Sequence, residues 1–256
     1  MFLESELVIG IDLNGNGVII LPGINVRRAG QPNAYPDSRL VRNVYSGNTS
    51  LVARVFLSCP SFTSINEIVE KINARNGEIT QPTVSKALKQ LQEDLIISKE
   101  KQNIRLIQPE KLLERLSSEF SMPKVIQEIK FAIAPPTGRA LYEAANRIGA
   151  KIALTGSSAA NFIVGDSVSS FYCNAPLSKL INALKEPPDL NSRFPNVRLI
   201  ETEDPTAYFD PQYNETDGVL ASSPVQTWLE LSAGDGRQKD AASKYRQLIL
   251  ERLEPY

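Results

Sequence analysis

Apolar positions in the first 45 residues come in short, β-branched runs. Residues 7–11 (Leu-Val-Ile-Gly-Ile) and 18–21 (Val-Ile-Ile-Leu) predict two strands. Between them, Asp12-Leu13-Asn14-Gly15-Asn16-Gly17 repeats Asn-Gly, which supplies the left-handed positions of a tight hairpin. Asp12, Asn14 and Asn16 also imitate the start of a calcium loop. The glutamate that would close such a loop, and its flanking helices, are missing, so a plain hairpin is preferred.

From residue 46 the period changes to that of helices. A helix over 48–57 turns Leu51, Val52, Val55 and Phe56 inward, and Pro60 stops it. Ser64 caps a second helix over 65–74, with Glu67 completing a capping box and Ile65, Ile68, Val69 and Ile72 as the apolar stripe. Thr80-Gln81-Pro82 opens a third over 81–93, with proline in the first turn and Val84, Leu88 and Leu91 pointing in. Residues 95–98 and 104–107 predict two short strands around a turn at 99–103. A helix over 110–120 follows.

Pro123, Pro135 and Pro136 punctuate the next boundary. Beyond them strands and helices alternate: strand 125–133, a helix capped by Thr137 to Arg147, strand 152–154, helix 159–164, strand 168–173, helix 177–184, strand 197–200, helix 224–232 and a terminal helix 237–253. That last helix sets Ala241, Ala242, Tyr245, Leu248 and Ile249 on one side. The fold class is therefore α+β. The chain divides into an N-terminal hairpin segment (1–46), a helix-rich domain (47–120) and a C-terminal α/β domain (121–256).

Composition narrows the chemistry. With 28 basic and 29 acidic residues the chain carries no basic field as a whole, so a nucleic-acid contact needs a local patch. No histidine is present, which excludes Ser-His-Asp and Cys-His pairs and histidine metal ligands. Cys59 and Cys173 cannot make a four-cysteine zinc site and read as free thiols in a reducing cytosol. No run approaches the ~18 apolar residues of a spanning helix. A cytoplasmic protein without membrane contact, metal or cofactor is expected.

Helix order followed by a two-stranded ribbon is that of a winged helix-turn-helix. Projected at ~100° per residue, the third helix turns Lys86 directly away from the core. Lys89 and Gln90 flank it, and Gln81, Thr83 and Ser85 lie at the start and edges of that outer face. Lysine and hydroxyl groups suit phosphates, and glutamine suits adenine. The ribbon adds Lys99, Lys101 and Arg105, and Arg27, Arg28, Arg39, Arg42 and Arg54 accumulate upstream. The competing reading is a solvated face or a protein-docking module, with Glu93, Asp94 and Glu100 weakening the field.

In the last region, Leu154-Thr155-Gly156-Ser157 after a strand is similar to the phosphate-binding turn of nucleotidyltransferases. Those enzymes need paired carboxylates on the next strand to hold Mg²⁺. Residues 168–173 contain no acid and Asp166 stands alone, so no catalytic residue is assigned. A close strand–helix turn is the preferred reading of Gly156-Ser157. Asp210, Asp217 and Asp235 lie in predicted loops with nothing to gather them.

Together these pieces resemble the AbiEi-type antitoxins and transcriptional regulators of type IV toxin–antitoxin systems, over nearly the whole chain. The resemblance is carried by Ile11-Asp12-Leu13-Asn14-Gly15-Asn16 with Leu21-Pro22-Gly23, by residues 81–88 (Gln-Pro-Thr-Val-Ser-Lys-Ala-Leu), and by residues 154–160 (Leu-Thr-Gly-Ser-Ser-Ala-Ala). The most specific part is residues 221–231 with Gly236-Arg237 and Ala241-Ala242. It implies an N-terminal half that represses its own promoter on double-stranded DNA. It also implies an inert, nucleotidyltransferase-like C-terminal domain that counters a nucleotidyltransferase toxin without obligatory contact. A homodimer is compatible with such a regulator. An orphan regulator sensing a ligand through the C-terminal domain, and a nucleotide-handling enzyme using the Gly156-Ser157 turn, are the alternatives.

Overall fold

The β-branched runs at the start of the chain pair as antiparallel strands. The computed structural model describes residues 8–11, 17–21, 24–28, 43–160 and 167–253. β1 (Val8–Ile11), β2 (Gly17–Leu21) and β3 (Ile24–Arg28) form an antiparallel sheet in that order. The third strand was not anticipated. The Asn-Gly turn and the calcium-loop reading of Asp12, Asn14 and Asn16 lie outside the described residues, as do Arg39 and Arg42. These strands belong to one compact unit, Met1–Arg42, and the remaining chain, Asn43–Tyr256, to a second.

The second unit begins with the periodic helices. α1 (Ser50–Val55), α2 (Ile65–Asn73), α3 (Gln81–Glu93) and α4 (Pro109–Ser118) pack Leu51, Val55, Ile68, Ile72, Val84, Leu88, Leu91, Leu112 and Leu116 into one core. Ser64 caps α2 by accepting the Glu67 N–H at 3.2 Å. The Glu67 carboxylate reaches back to the N–H and hydroxyl of Thr63, which hold it below the usual carboxylate range. A strand too short to read from the sequence, β4 (Ser61–Phe62), joins β5 (Ile97–Glu100) and β6 (Asn103–Leu106) in the order β4-β6-β5. Phe62 meets Phe56 edge to face at 5.1 Å, fixing this small sheet to α1. The β5–β6 turn is two residues, Lys101-Gln102, shorter than the expected 99–103.

The C-terminal residues form a six-stranded sheet. Its strands are β7 (Gln127–Phe131), β8 (Ile152–Leu154), β9 (Ser169–Cys173), β10 (Val197–Glu201), β11 (Gln212–Asn214) and β12 (Val219–Ala221). Their spatial order is β11-β12-β8-β9-β10-β7. The β9/β10 and β12/β8 pairs are parallel and the others antiparallel. Alternation along each strand sorts the faces. Ile152, Leu154, Phe171, Val197 and Leu199 pack under α5 (Thr137–Arg147) and α6 (Leu177–Asn182), while Ala153, Tyr172 and Ile200 face the short turn Pro205–Tyr208. α5 is preceded by Pro136 as its cap residue and has no side-chain cap. The expected role of Thr137 is thus corrected: it already stands in the helix. The predicted helix 159–164 is instead a single tight turn, Gly156–Ala159, as far as Ala160, and 161–166 lie outside the described residues.

α7 (Pro224–Ser232) and α8 (Gly236–Glu251) close the fold. α8 starts from a full capping box between Asp235 and Gln238, which accounts for Asp235. Ala241, Ala242 and Ile249 are buried as read, but Leu248 is 41% exposed, because α8 lies on its neighbours by a narrower stripe than expected. Trp228, Leu229, Leu231 and Ile249 belong to the same apolar core as α1–α4. That core therefore crosses position 120. Leu229, 1% exposed, is a test of this continuity. Leu229→Ala is expected to lower stability by about 2–5 kcal/mol. Urea unfolding followed by circular dichroism should show the helical signal of the whole second unit lost at a lower midpoint.

Candidate nucleic-acid interface and the Gly156 turn

α3 carries the candidate interface because its two faces differ as the 3.6-residue period requires. Val84, Ala87, Leu88 and Leu91 are buried, while Gln81, Ser85, Lys86 and Lys89 are exposed and Thr83 is half-buried. Thr83 and Thr80 share a hydroxyl hydrogen bond of 3.0 Å at the start of the helix. Lys89 stands 3.8 Å from Glu93 on the same exposed face, an i,i+4 pair that water screens. Gln90 is placed differently from its reading. Its amide donates to Asp94 at 3.1 Å, and Asp94 also accepts the Tyr45 hydroxyl at 2.6 Å, so Gln90 serves the end of its own helix.

The ribbon residues do not share one face. Cross-strand neighbours lie on the same side of a sheet. Lys99 is opposite Ile104 and Ser98 opposite Arg105, so Lys99 follows the core-facing side beyond its apolar edge and Arg105 the other. Lys99, Lys101 and Arg105 are all exposed. Upstream, Arg27 and Arg28 are exposed in β3.

Arg54, expected to add to this basic supply, is instead buried. Every residue of α1 is buried and Arg54 is 4% exposed. Its Nη1 donates to Gln226 Oε1 at 2.6 Å. The Gln226 amide donates to Glu230 Oε1 at 2.7 Å, and Glu230 Oε2 accepts the Thr155 hydroxyl at 2.5 Å and the Gly156 N–H at 2.9 Å. A buried polar chain thus runs from α1 through α7 to the turn after β8. Burial lowers the Arg54 guanidinium to about 10, against the opposing pull of Asp204 and Glu230. Burial likewise raises the Glu230 carboxyl, although its hydrogen bonds favour the charged form.

This chain decides what the Gly156 turn can do. Gly156 has φ +57°, the left-handed region that favours glycine, with open space where a Cβ would stand, so backbone conformation is what requires it. Its N–H and the Thr155 hydroxyl, the groups that would meet a phosphate, already meet Glu230. Ser157 Oγ accepts the Gln238 amide at 3.0 Å, and Ser158 Oγ accepts the Ser170 N–H at 2.9 Å. The preferred structural turn agrees with this geometry. Among the described residues no group of three or more acids and cysteines is placed to hold a metal ion. Asp210 pairs with Arg75 at 3.3 Å, and Asp217 is partly desolvated, which raises its carboxyl. No helix among the described residues is long and apolar enough to cross a membrane.

Sequence reasoning missed Glu230 and Gln226. The available signal was a charge inside the apolar run Trp228-Leu229-Glu230-Leu231, where a solvated residue would be out of place. Because folding raises the Glu230 carboxyl above its unfolded value, this group's contribution is fully present below that unfolded value. It declines as pH rises through the folded one. Glu230→Gln is expected to flatten stability against pH upward from about pH 4, by at most about 1.4 kcal/mol per pH unit. Thermal unfolding of both proteins between pH 4 and 8 reads the difference directly. Compared with known proteins, the chain matches no family model, no curated protein and no solved structure.

Proposed function

We propose that this chain is a DNA-binding transcriptional regulator, the antitoxin of a type IV toxin–antitoxin system that represses its own promoter. In this reading α1–α4 with the β4-β6-β5 sheet act as a winged helix-turn-helix, α3 as its recognition helix and the β5–β6 ribbon as its wing. The six-stranded sheet with its helices acts as a nucleotidyltransferase-like domain without transfer chemistry, serving against a nucleotidyltransferase toxin. The observation that carries the reading is the outer face of α3. Lys86 stands exposed on the side opposite Val84, Leu88 and Leu91, with Lys89 and Ser85 beside it and the first-turn N–H groups nearby. Gln90 and Arg54 drop out of the contact set; Gln81, Thr83, Ser85, Lys86, Lys89, Lys99, Lys101 and Arg105 remain.

A second reading, a regulator that senses a ligand through its C-terminal residues, is favoured by the buried chain from Gly156 to Arg54. That chain connects the C-terminal sheet to the first helix.

Two measurements test the proposal. A mobility shift with the DNA upstream of the protein's own gene should weaken in the Lys86→Ala/Lys89→Ala variant. The slope of log affinity against log salt should fall by about one to two, since each lost phosphate contact contributes about 0.9. A shift that is identical in the variant removes α3 from the interface. Incubation with labelled nucleotide and Mg²⁺ should leave both RNA and protein unlabelled, because the Gly156 N–H is committed to Glu230. Labelling that Ser157→Ala abolishes would make the chain an enzyme.

A further inference from the structure

We propose that two copies of this chain associate through the free edge of β7, pairing strand to strand about a two-fold axis at Ile129. The pairing deepens the homodimer compatible with the proposed regulator but depends on no DNA contact.

Hydrogen-bond direction identifies the free groups. On either side of β10, the Asn196 carbonyl accepts the Ser169 N–H of β9 and the Thr202 N–H donates to Cys173 of β9, so the even-numbered main-chain groups of β10 face β9 and the odd-numbered ones face β7. Across the β10/β7 ladder, Val197 lies opposite Phe131 and Leu199 opposite Ile129, so the odd residues of β7 face β10. The main-chain groups of Glu128 and Lys130 therefore point to the outer edge. Ala132 confirms the alternation: its N–H and C=O exchange bonds of 3.0 and 2.9 Å with Asp189 on that outer side. Among the described residues β7 is the last strand of its sheet, so Glu128 and Lys130 present a ladder unpaired by any of them.

Charge selects the register. An antiparallel partner must bring outward-facing residues opposite one another, so only even positions pair with even. Centring on Glu128 sets glutamate against glutamate, and centring on Lys130 sets lysine against lysine. Centring on Ile129 sets Glu128 opposite Lys130 twice, and both are hydrogen-bonded pairs. Gln127, Glu128 and Lys130 are exposed. The Glu128 carboxylate, held by Arg198 Nε and Nη2 at 2.8 and 2.7 Å, is shared between Arg198 and the mate's Lys130, and the pairing ends short of Ala132, whose edge Asp189 occupies.

Apolar exposure supplies the independent observation. Among the described residues ten large apolar side chains are exposed, and five flank this strand: Met122, Val125 and Ile126 before its start, and Leu190 and Phe194 beside its end. Phe194 is 87% exposed. Its neighbour Asn196 is locked to the N–H and C=O of Ile133, which places this loop at the end of β7. A two-fold axis at Ile129 brings the start of one strand to the end of the other. Val125 and Ile126 of each copy then meet the Leu190–Phe194 loop of its mate. Large apolar groups grouped in this way on a charged edge mark an association surface.

Sedimentation velocity of the full chain over a concentration series tests the proposal. The wild-type protein is expected to dimerise. Lys130→Glu places glutamate against glutamate at both pairs and should raise the dimer dissociation constant at least about tenfold, a loss of about 1.4 kcal/mol. Lys130→Pro removes only an outward N–H and should act likewise, as should Phe194→Ser. Circular dichroism melts should stay near wild type, because positions 130 and 194 are exposed. Leu95→Ser, at an exposed position on another part of the surface, should leave the dimer intact. A wild-type chain that stays monomeric, or a dimer unaffected by Lys130→Glu and Phe194→Ser, overturns the proposal.

Discussion

The Arg54–Gln226–Glu230 chain is the constraint around which the second unit is arranged. A guanidinium and a carboxylate are taken out of water, and one uncharged amide between them accepts from the first and donates to the second. Desolvating two such groups costs several kcal/mol each, and the return depends on every remaining donor and acceptor finding a partner. Glu230 meets this with Thr155, Gly156 and Gln226. Arg54 falls short, since its Nε is buried without a partner among the described residues. A polar chain of this kind is a weak source of net stability. It is a strong source of specificity, because any other docking of α7 on α1 strands a charge.

Apolar packing supplies the affinity that the polar chain directs. Trp228, Leu229 and Leu231 of α7 and Ile249 of α8 fill the same core as Leu51, Phe56 and Leu116. The C-terminal helices thus serve the helices of residues 50–118 as much as they serve the sheet. The sheet itself has a separate apolar layer under α5 and α6. The Gly156 turn sits where these layers approach, and its donors are spent on Glu230, its serines on Gln238 and Ser170. It reads as a structural rivet made from residues that resemble a phosphate cradle.

Much of this was legible in the sequence where period carried the signal. α3 has one buried stripe, and Val84, Leu88 and Leu91 identified both its inner and outer faces. Ser64 and Pro82 mark helix starts through local chemistry that needs no tertiary context. Arg54 was misread for the opposite reason. α1 is covered on all sides, and coverage from a residue 172 positions away leaves no trace in a local pattern. β4, β11 and β12 are two or three residues long, too short for alternation to register. The position of Gln90 depended on a bond to Asp94 that competes with its outward direction. Glu230 could have been found, since a lone acid in an apolar run asks for a buried partner.

The 172-residue separation between Arg54 and Gln226 also carries a loop-closure cost that favours local contacts first. Closing so long a loop is entropically slow, whereas α1–α4 are joined by short connections and form contacts close in sequence. The helices can therefore collapse while the Arg54 guanidinium is still hydrated on an incomplete surface. Burying that guanidinium against a purely apolar segment would leave a desolvated charge without an acceptor. Only α7, arriving with Gln226 and Glu230 together, can strip that water at tolerable cost. A charge that contributes little to the finished protein thus weighs against every wrong closure of this seam more than it adds to the right one.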